Sequence, residues 1–226
     1  MSSKPQRKYS SPRQVDRRRR ILNVAATHLV SHGLDSLSMN SLAAASEVSV
    51  KTLYNLFGSR DELLLKAGTQ SLTHLEESET ILSVEPGIPR LYAFVVATMQ
   101  DFIAAPKYAH AVISTLAKAD LSETLADRHM GVVRRYAESS LKIAAENNEL
   151  RPGVDVRRLA THISADQWGA VLLWIKGLLD VSALPDHVAL SHYMTLLPIT
   201  TGVRRAQMER EYEQLLIETA LVVTGA

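Results

Sequence analysis

Cysteine is absent from all 226 residues, which excludes disulfide frameworks, thiolate zinc sites and cysteine nucleophiles. Long apolar runs are absent too. The most apolar stretch, Trp168–Leu179, is about a dozen residues interrupted by Lys176, well short of the ~20 needed to cross a bilayer. The N-terminus is basic but leads into no hydrophobic segment of signal-peptide type, and the chain is expected to be soluble, cytoplasmic and without membrane contact. No phosphate-binding glycine loop, nucleophile elbow or paired-carboxylate motif occurs, nor any internal repeat or low-complexity tract.

What is present is a division by charge. Residues 1–60 hold ten Lys or Arg against Asp16, Asp35 and Glu47, a local charge of +7, and the remainder carries −6. The overall +1 hides a basic end suited to nucleic acid. With 46% hydrophobic residues, the chain can fill the core of one large or two modest domains. Apolar residues recur at helical spacing nearly throughout, beginning with Ile21, Leu22, Ala25, Leu29 and Val30. Breaks at Gly33, Glu85-Pro86-Gly87, Ala105-Pro106, Arg151-Pro152-Gly153, Leu184-Pro185 and Thr201-Gly202 predict nine or ten helices and no strand. The fold class is all-α.

Residues 38–64 read as two short helices joined by a tight turn, followed by a third capped helix, a layout that presents one helix to the DNA major groove. Ser38 is placed to cap the first helix, Ser49 the second and Ser59 the third, where Ser59-Arg60-Asp61-Glu62 has the form of a capping box. Val48 plugs the turn. Leu53 and Phe57 share the buried face of the second helix, and Lys51, Thr52, Tyr54 and Asn55 spread over the other. Helices this short are unstable alone and must pack as a unit.

At these residues the chain resembles the TetR family of transcriptional regulators. The matching run is Leu42-Ala43 through Val48-Ser49, then Thr52-Leu53-Tyr54, Phe57, Ser59-Arg60 and Leu63-Leu64, with Ile21, Ala25, Leu29, Gly33 and Leu37-Ser38 upstream. It covers roughly residues 15–70. Glu47 departs from the family's usual turn glycine, which implies a strained left-handed residue or an altered turn. Leu56 stands where an aromatic is common.

Polar and basic, with Pro5 and Pro12 and little to bury, residues 1–14 read as a mobile arm, and the resemblance implies a helix-turn-helix DNA-binding domain of three helices over 15–65 and a helical ligand-binding and dimerisation bundle over 66–226. It implies a homodimeric regulator, in the first instance a repressor, that binds a palindromic double-stranded DNA operator and is released by a small-molecule effector. The alternative is a regulator controlled by a protein partner, or constitutive. Lys51 and Asn55 can donate to base edges, Lys to guanine and Asn to adenine, and Val50 can touch a thymine methyl. Tyr54 is assigned to a phosphate or the sugar backbone. Ser38, Thr52 and Arg60 match backbone-holding positions, Asn40 matches one that reaches a base, and Arg17 is assigned to the backbone.

The dimer helices are sought in Val154–Val181, His187–Pro198 and Arg204–Val223, where Gly169 and Gly177 suggest close helix approach. Tyr92, Met99, Phe102, His110 and Trp168 are the candidate ligand-pocket residues. Only 5% aromatic residues argues against an aromatic multidrug cavity, although Leu and Met can build an adaptable apolar one. A ligand there is expected to displace a helix over Asp61–Ser83 that abuts the recognition helix. No cofactor, metal or catalytic residue is expected. His162 and Asp166 lie four apart, but two ligands without a third are a weak metal signal, and His28/His32 and Asp127/His129 are no stronger.

Cations at a helix N-terminus oppose its dipole, so the Arg17–Arg20 run calls for a compensating anion such as phosphate. Deleting residues 1–14 is expected to weaken operator binding and to flatten log affinity against log salt by about 0.9 for each phosphate left unneutralised, measured by titration at several salt concentrations.

Overall fold

The structure, a computed structural model, describes residues 12–32, 36–117 and 123–224. Most of the expected basic arm, and Gly33, lie outside the described residues. Eleven α-helices are found among those described: α1 Pro12–His32, α2 Met39–Ala45, α3 Val50–Phe57, α4 Arg60–Glu76, α5 Glu79–Leu82, α6 Ile88–Ala104, α7 Pro106–Leu116, α8 Glu123–Glu146, α9 Val156–Ile175, α10 Leu184–Leu196 and α11 Gly202–Thr224. They form no strand beyond an isolated bridge between Leu150 and Thr200.

The extra helix comes from a division of the expected Asp61–Ser83 helix. Ser78 adopts an extended backbone (φ −69°, ψ 147°) and caps a new turn by accepting from the Ile81 amide. This is the usual competition of a serine side chain with the helical hydrogen-bond ladder. The α9 helix also ends earlier than expected, at Ile175. Gly177 (φ +70°) and Leu178 turn their amides back onto Trp174 O and Leu173 O at 2.8 and 2.9 Å, a left-handed stop that glycine supplies without strain. Gly177 is thus a terminator and not a helix-interior contact. At Gly169, no atom of another described helix lies within 4 Å of where a Cβ would stand, so close approach to those helices does not explain it.

Two hydrophobic clusters organise the molecule. The N-terminal one joins Ile21, Leu22, Ala25 and Leu29 of α1 to Leu42, Ala43, Leu53, Phe57, Leu63, Leu64 and Ala67, and it takes in Ala111 from α7. The larger one gathers α6, α8, α9 and α10 around Leu91, Phe94, Met99, Ala137, Leu141, Ile163, Val171 and Leu196. α1 packs on both α4 and α7, and α4 packs on α7 and α8. The two clusters therefore meet along α4 and α7.

At the far end, Arg204 opens α11 and is only 9% exposed. It donates to Glu85 Oε1 at 2.6 Å and Glu149 Oε1 at 3.2 Å, drawing the α5–α6 and α8–α9 connections onto one guanidinium. Glu149 is itself mostly buried, and removing its partner leaves an uncompensated carboxylate. Arg204→Ala is expected to cost about 3 kcal/mol in urea unfolding, and Glu85→Ala, at the exposed end, under about 1 kcal/mol.

Candidate nucleic-acid interface and effector cavity

The DNA-reading end is built from local hydrogen bonds. Ser38 Oγ accepts from the Ser41 amide at 3.0 Å, and the Ser41 hydroxyl takes the Ser38 amide in return, a reciprocal cap on α2. Ser49 Oγ accepts from the Thr52 amide at 3.1 Å and lies 2.8 Å from Thr52 Oγ1, capping α3. Between them the chain reverses at Glu47 (φ +55°), whose amide reaches Ala44 O while Val48 N reaches Ala43 O. The left-handed residue implied at Glu47 is present and costs about 1 kcal/mol for a side chain with a Cβ.

These caps orient α3 with Leu53 and Phe57 fully buried. Lys51 and Asn55 are exposed, and Tyr54 is 51% exposed. Val50 and Leu56 are partly buried against the N-terminal cluster, so Val50 has only one side turned outward. Ser38, Asn40 and Arg17 are exposed, whereas Thr52 and Arg60 are half-buried.

The α3–α4 junction differs from the expected capping box. Ser59 Oγ accepts from the Glu62 amide at 3.1 Å, but the Glu62 carboxylate turns to Lys66 Nζ at 3.0 Å. Lys66 Nζ also donates to Phe57 O at 3.1 Å and sits 5.7 Å from the centre of the Phe57 ring. A cation from α4 thus neutralises the carbonyl end of α3 and clamps the two helices together. Lys66 was not among the residues the sequence singled out, because its partner is a backbone carbonyl nine positions away.

A cavity of about 290 Å³ lies where the two clusters meet. Met99 and Phe102 of α6 and Trp168 of α9 line it, as expected. Tyr92 and His110 do not. Tyr92 stacks into an aromatic group with His192 and Tyr193, ring centres 5.2 Å apart in each case, and His110 is exposed with its ring edge-on to Trp174. Helical spacing located their apolar sides but not which neighbours those sides would meet.

Ala26 and Val30 of α1, Gly68, Ser71 and Leu72 of α4, Tyr108, Val112 and Ile113 of α7, and Gln167 and Val171 of α9 also belong to the wall. Tyr108 OH lies 3.1 Å from Ser71 Oγ, and burial pushes its hydroxyl pKa upward. Gln167 is 5% exposed, and its Nε2 has no partner within the protein. The same residue borders a void of about 10 Å³ shared with His192, enough for roughly one water.

His162 Nε2 and Asp166 Oδ2 are 3.7 Å apart. The Asp166 carboxylate accepts from Ser191 Oγ at 2.9 Å and Thr195 Oγ1 at 3.4 Å, so it ties α9 to α10. Among the described residues no three His, Cys, Asp or Glu converge as a metal site, and none of the described helices is long and apolar enough to cross a membrane. His28 and His32 stack on each other, ring centres 4.7 Å apart. The side chains of Asp127 and His129 lie outside the described residues.

Residues 21–67 match the family described as bacterial regulatory proteins, tetR family. Among solved structures, a TetR transcriptional regulator from Rhodococcus sp. RHA1 superposes with a TM-score of 0.64 at 17% identity, covering 81% of this chain and 97% of that one. Thermus thermophilus FadR, a TetR-family repressor in complex with lauroyl-CoA, gives 0.64 at 17% identity, covering 79% and 94%. TylP, a TetR regulator from Streptomyces fradiae, gives 0.60 at 18% identity, covering 91% and 98%. At these identities the structures share the fold. Among curated proteins none matches in sequence.

His192 is fully enclosed, with neither ring nitrogen partnered, and burial lowers its pKa from 6.5 to about 3. The folded state therefore excludes a proton that the unfolded chain accepts. The stability this imidazole allows is complete above pH 6.5 and is lost as pH falls toward 3. Between pH 6.5 and 5, unfolding free energy should gain a slope of up to about 1.4 kcal/mol per pH unit, which His192→Phe should remove in denaturant titrations.

Proposed function

We propose that this chain, a TetR-family protein in its N-terminal domain and its fold, is a dimeric repressor that reads a palindromic operator and releases it when a small molecule fills the cavity. The observation that carries this reading is the shared wall. Ala26 and Val30 belong to α1 and Gly68, Ser71 and Leu72 to α4, the helices that also bury the N-terminal cluster.

Lys51, Asn55, Val50 and Asn40 read bases, and Tyr54, Ser38, Thr52, Arg60 and Arg17 hold the backbone. A two-fold dimer sets two α3 helices about 34 Å apart, one turn of DNA, hence the palindrome. Leu172, Leu173 and Met194 are exposed on α9 and α10, which supports these helices as the pairing face. A ligand that pushes on Gly68–Leu72 moves α4, and Lys66 transmits the movement to the end of α3. Operator affinity falls in proportion to the ligand's preference for the spread arrangement. The lauroyl-CoA complex of the Thermus thermophilus protein is a precedent for a small molecule bound by a protein of this fold. The protein acts on DNA in the cytoplasm, and no catalysis is assigned to it.

Footprinting on the DNA upstream of the protein's own coding sequence should reveal a palindrome. Lys51→Ala and Asn55→Ala should each cost about 1–3 kcal/mol of operator affinity and relax the preference at one base pair per half-site. Arg17→Ala should weaken all sequences alike and reduce the salt slope by about 0.9. Weak, salt-independent association without a protected palindrome would refute the reading.

A further inference from the structure

The cavity wall is apolar almost throughout, yet it carries one charge. Among the described lining residues Asp101 is the one carboxylate, and there is no Lys, Arg or His. Lys107 and His110 of α7 are exposed and stand outside the lining. Helical geometry turns Asp101 toward the cavity. Thr98, Asp101, Phe102 and Ala105 recur at the spacing of a single helical face, and all four line the wall. Asp101 is exposed to solvent as well, which places it at the rim.

The rim is a poor place for an isolated carboxylate. Asp101 lies in the last turn of α6, which holds no basic residue, and an anion there opposes the helix dipole. The next helix, α7, starts at Pro106, whose nitrogen has no hydrogen to donate. Among the described residues no hydrogen bond or ion pair reaches the Asp101 carboxylate, and burial pushes its pKa upward. The hydroxyls of the wall are already engaged. Thr98 Oγ1 donates to Phe94 O at 2.8 Å, and Ser71 Oγ donates to Ala67 O at 3.3 Å and pairs with Tyr108. What the wall lacks is a cation.

We infer that the cavity takes an apolar cation, an organic ammonium whose charged head pairs with Asp101 at the rim while its hydrocarbon body fills the interior. The inference rests on the effector reading above and specifies its ligand class. Met99, Val112, Ile113 and Val171 take the hydrocarbon, and the rings of Phe102, Tyr108 and Trp168 line the same space, where an aromatic face adds attraction for a cation. The ammonium supplies the carboxylate with the opposite charge it lacks and offsets the anion at the end of α6. A carboxylate ligand in the same position meets both Asp101 and the negative helix end, and is repelled by each.

The test uses the full-length protein at neutral pH and three probes of one chain length: octylammonium, 1-octanol and octanoate. Binding is followed by titration calorimetry and by tryptophan fluorescence, which Trp168 in the wall reports. Octylammonium should bind at least about tenfold tighter than 1-octanol, which fills the same space without the charge, and octanoate should bind weakest. Asp101→Asn, which keeps the shape and removes the charge, should weaken octylammonium roughly tenfold and leave 1-octanol within about twofold. Should the variant not fold, octylammonium against 1-octanol on the unmodified protein reads the same pairing. Binding of 1-octanol or octanoate as tight as that of octylammonium, or no binding of any probe, overturns the ligand class. Octylammonium affinity unchanged in folded Asp101→Asn overturns the pairing. Operator release is recorded in parallel by fluorescence anisotropy. Octylammonium that binds through Asp101 and leaves the operator bound refutes the effector reading alone, and a preferred 1-octanol or octanoate that releases it refutes the ligand class alone.

Discussion

The N-terminal cluster cannot close without α4 and α7. Three helices of 21, 7 and 8 residues bury too little apolar surface to offset their own ordering, and Leu63, Leu64, Ala67 and Ala111 supply the missing side. Those residues belong to helices whose other faces are occupied by the larger cluster and the cavity. The DNA-binding end is therefore held in place by the helices of the body. α4 is not a linker; it is a shared beam.

Electrostatics follows the same division. Among the described residues the basic end keeps most of its cations outward: Arg17 and Lys51 are exposed, Arg19 meets Asp16 at 3.2 Å on the surface, and Arg60 is half-buried. In the body the charges that matter for the fold are drawn inward and paired, as at Arg204, or kept neutral, as at His192. Lys66 stands between the two regimes. It is half-buried, shared by Glu62 and the Phe57 carbonyl, and it is where an orientation of α4 becomes an orientation of α3.

Most of the reading head was legible because its determinants are local. Ser38, Ser49 and Ser59 each bond an amide three residues on, so the cap is written within four positions. The left-handed turn at Glu47 could be inferred from what stands there and what the resemblance implied. The body was legible only as helices. Arg204 and Glu85 are 119 residues apart, and no periodicity links them. Gln167 sits on a face that counts as apolar, and nothing nearby in the chain marks its amide as unpartnered. Tyr92 was misplaced for the complementary reason: its apolar face was recognised, but the pairing of α6 with α10 sent it to His192 and not to the cavity. The helix boundaries at Ser78 and Gly177 depended on single residues whose capping chemistry outweighed an otherwise continuous pattern.

Ala26 and Val30 have one further consequence. Because the wall of the cavity is also the helix that carries the head, the two cannot be inherited as separate traits. A substitution at either position acts on the cavity wall and on α1 at once. Residues of α6 and α9 such as Met99, Phe102, Gln167, Trp168 and Val171 line the cavity without belonging to the N-terminal cluster, and there the cavity can change by itself. Change in the cavity is thus channelled to one side of it, leaving the other as the fixed term.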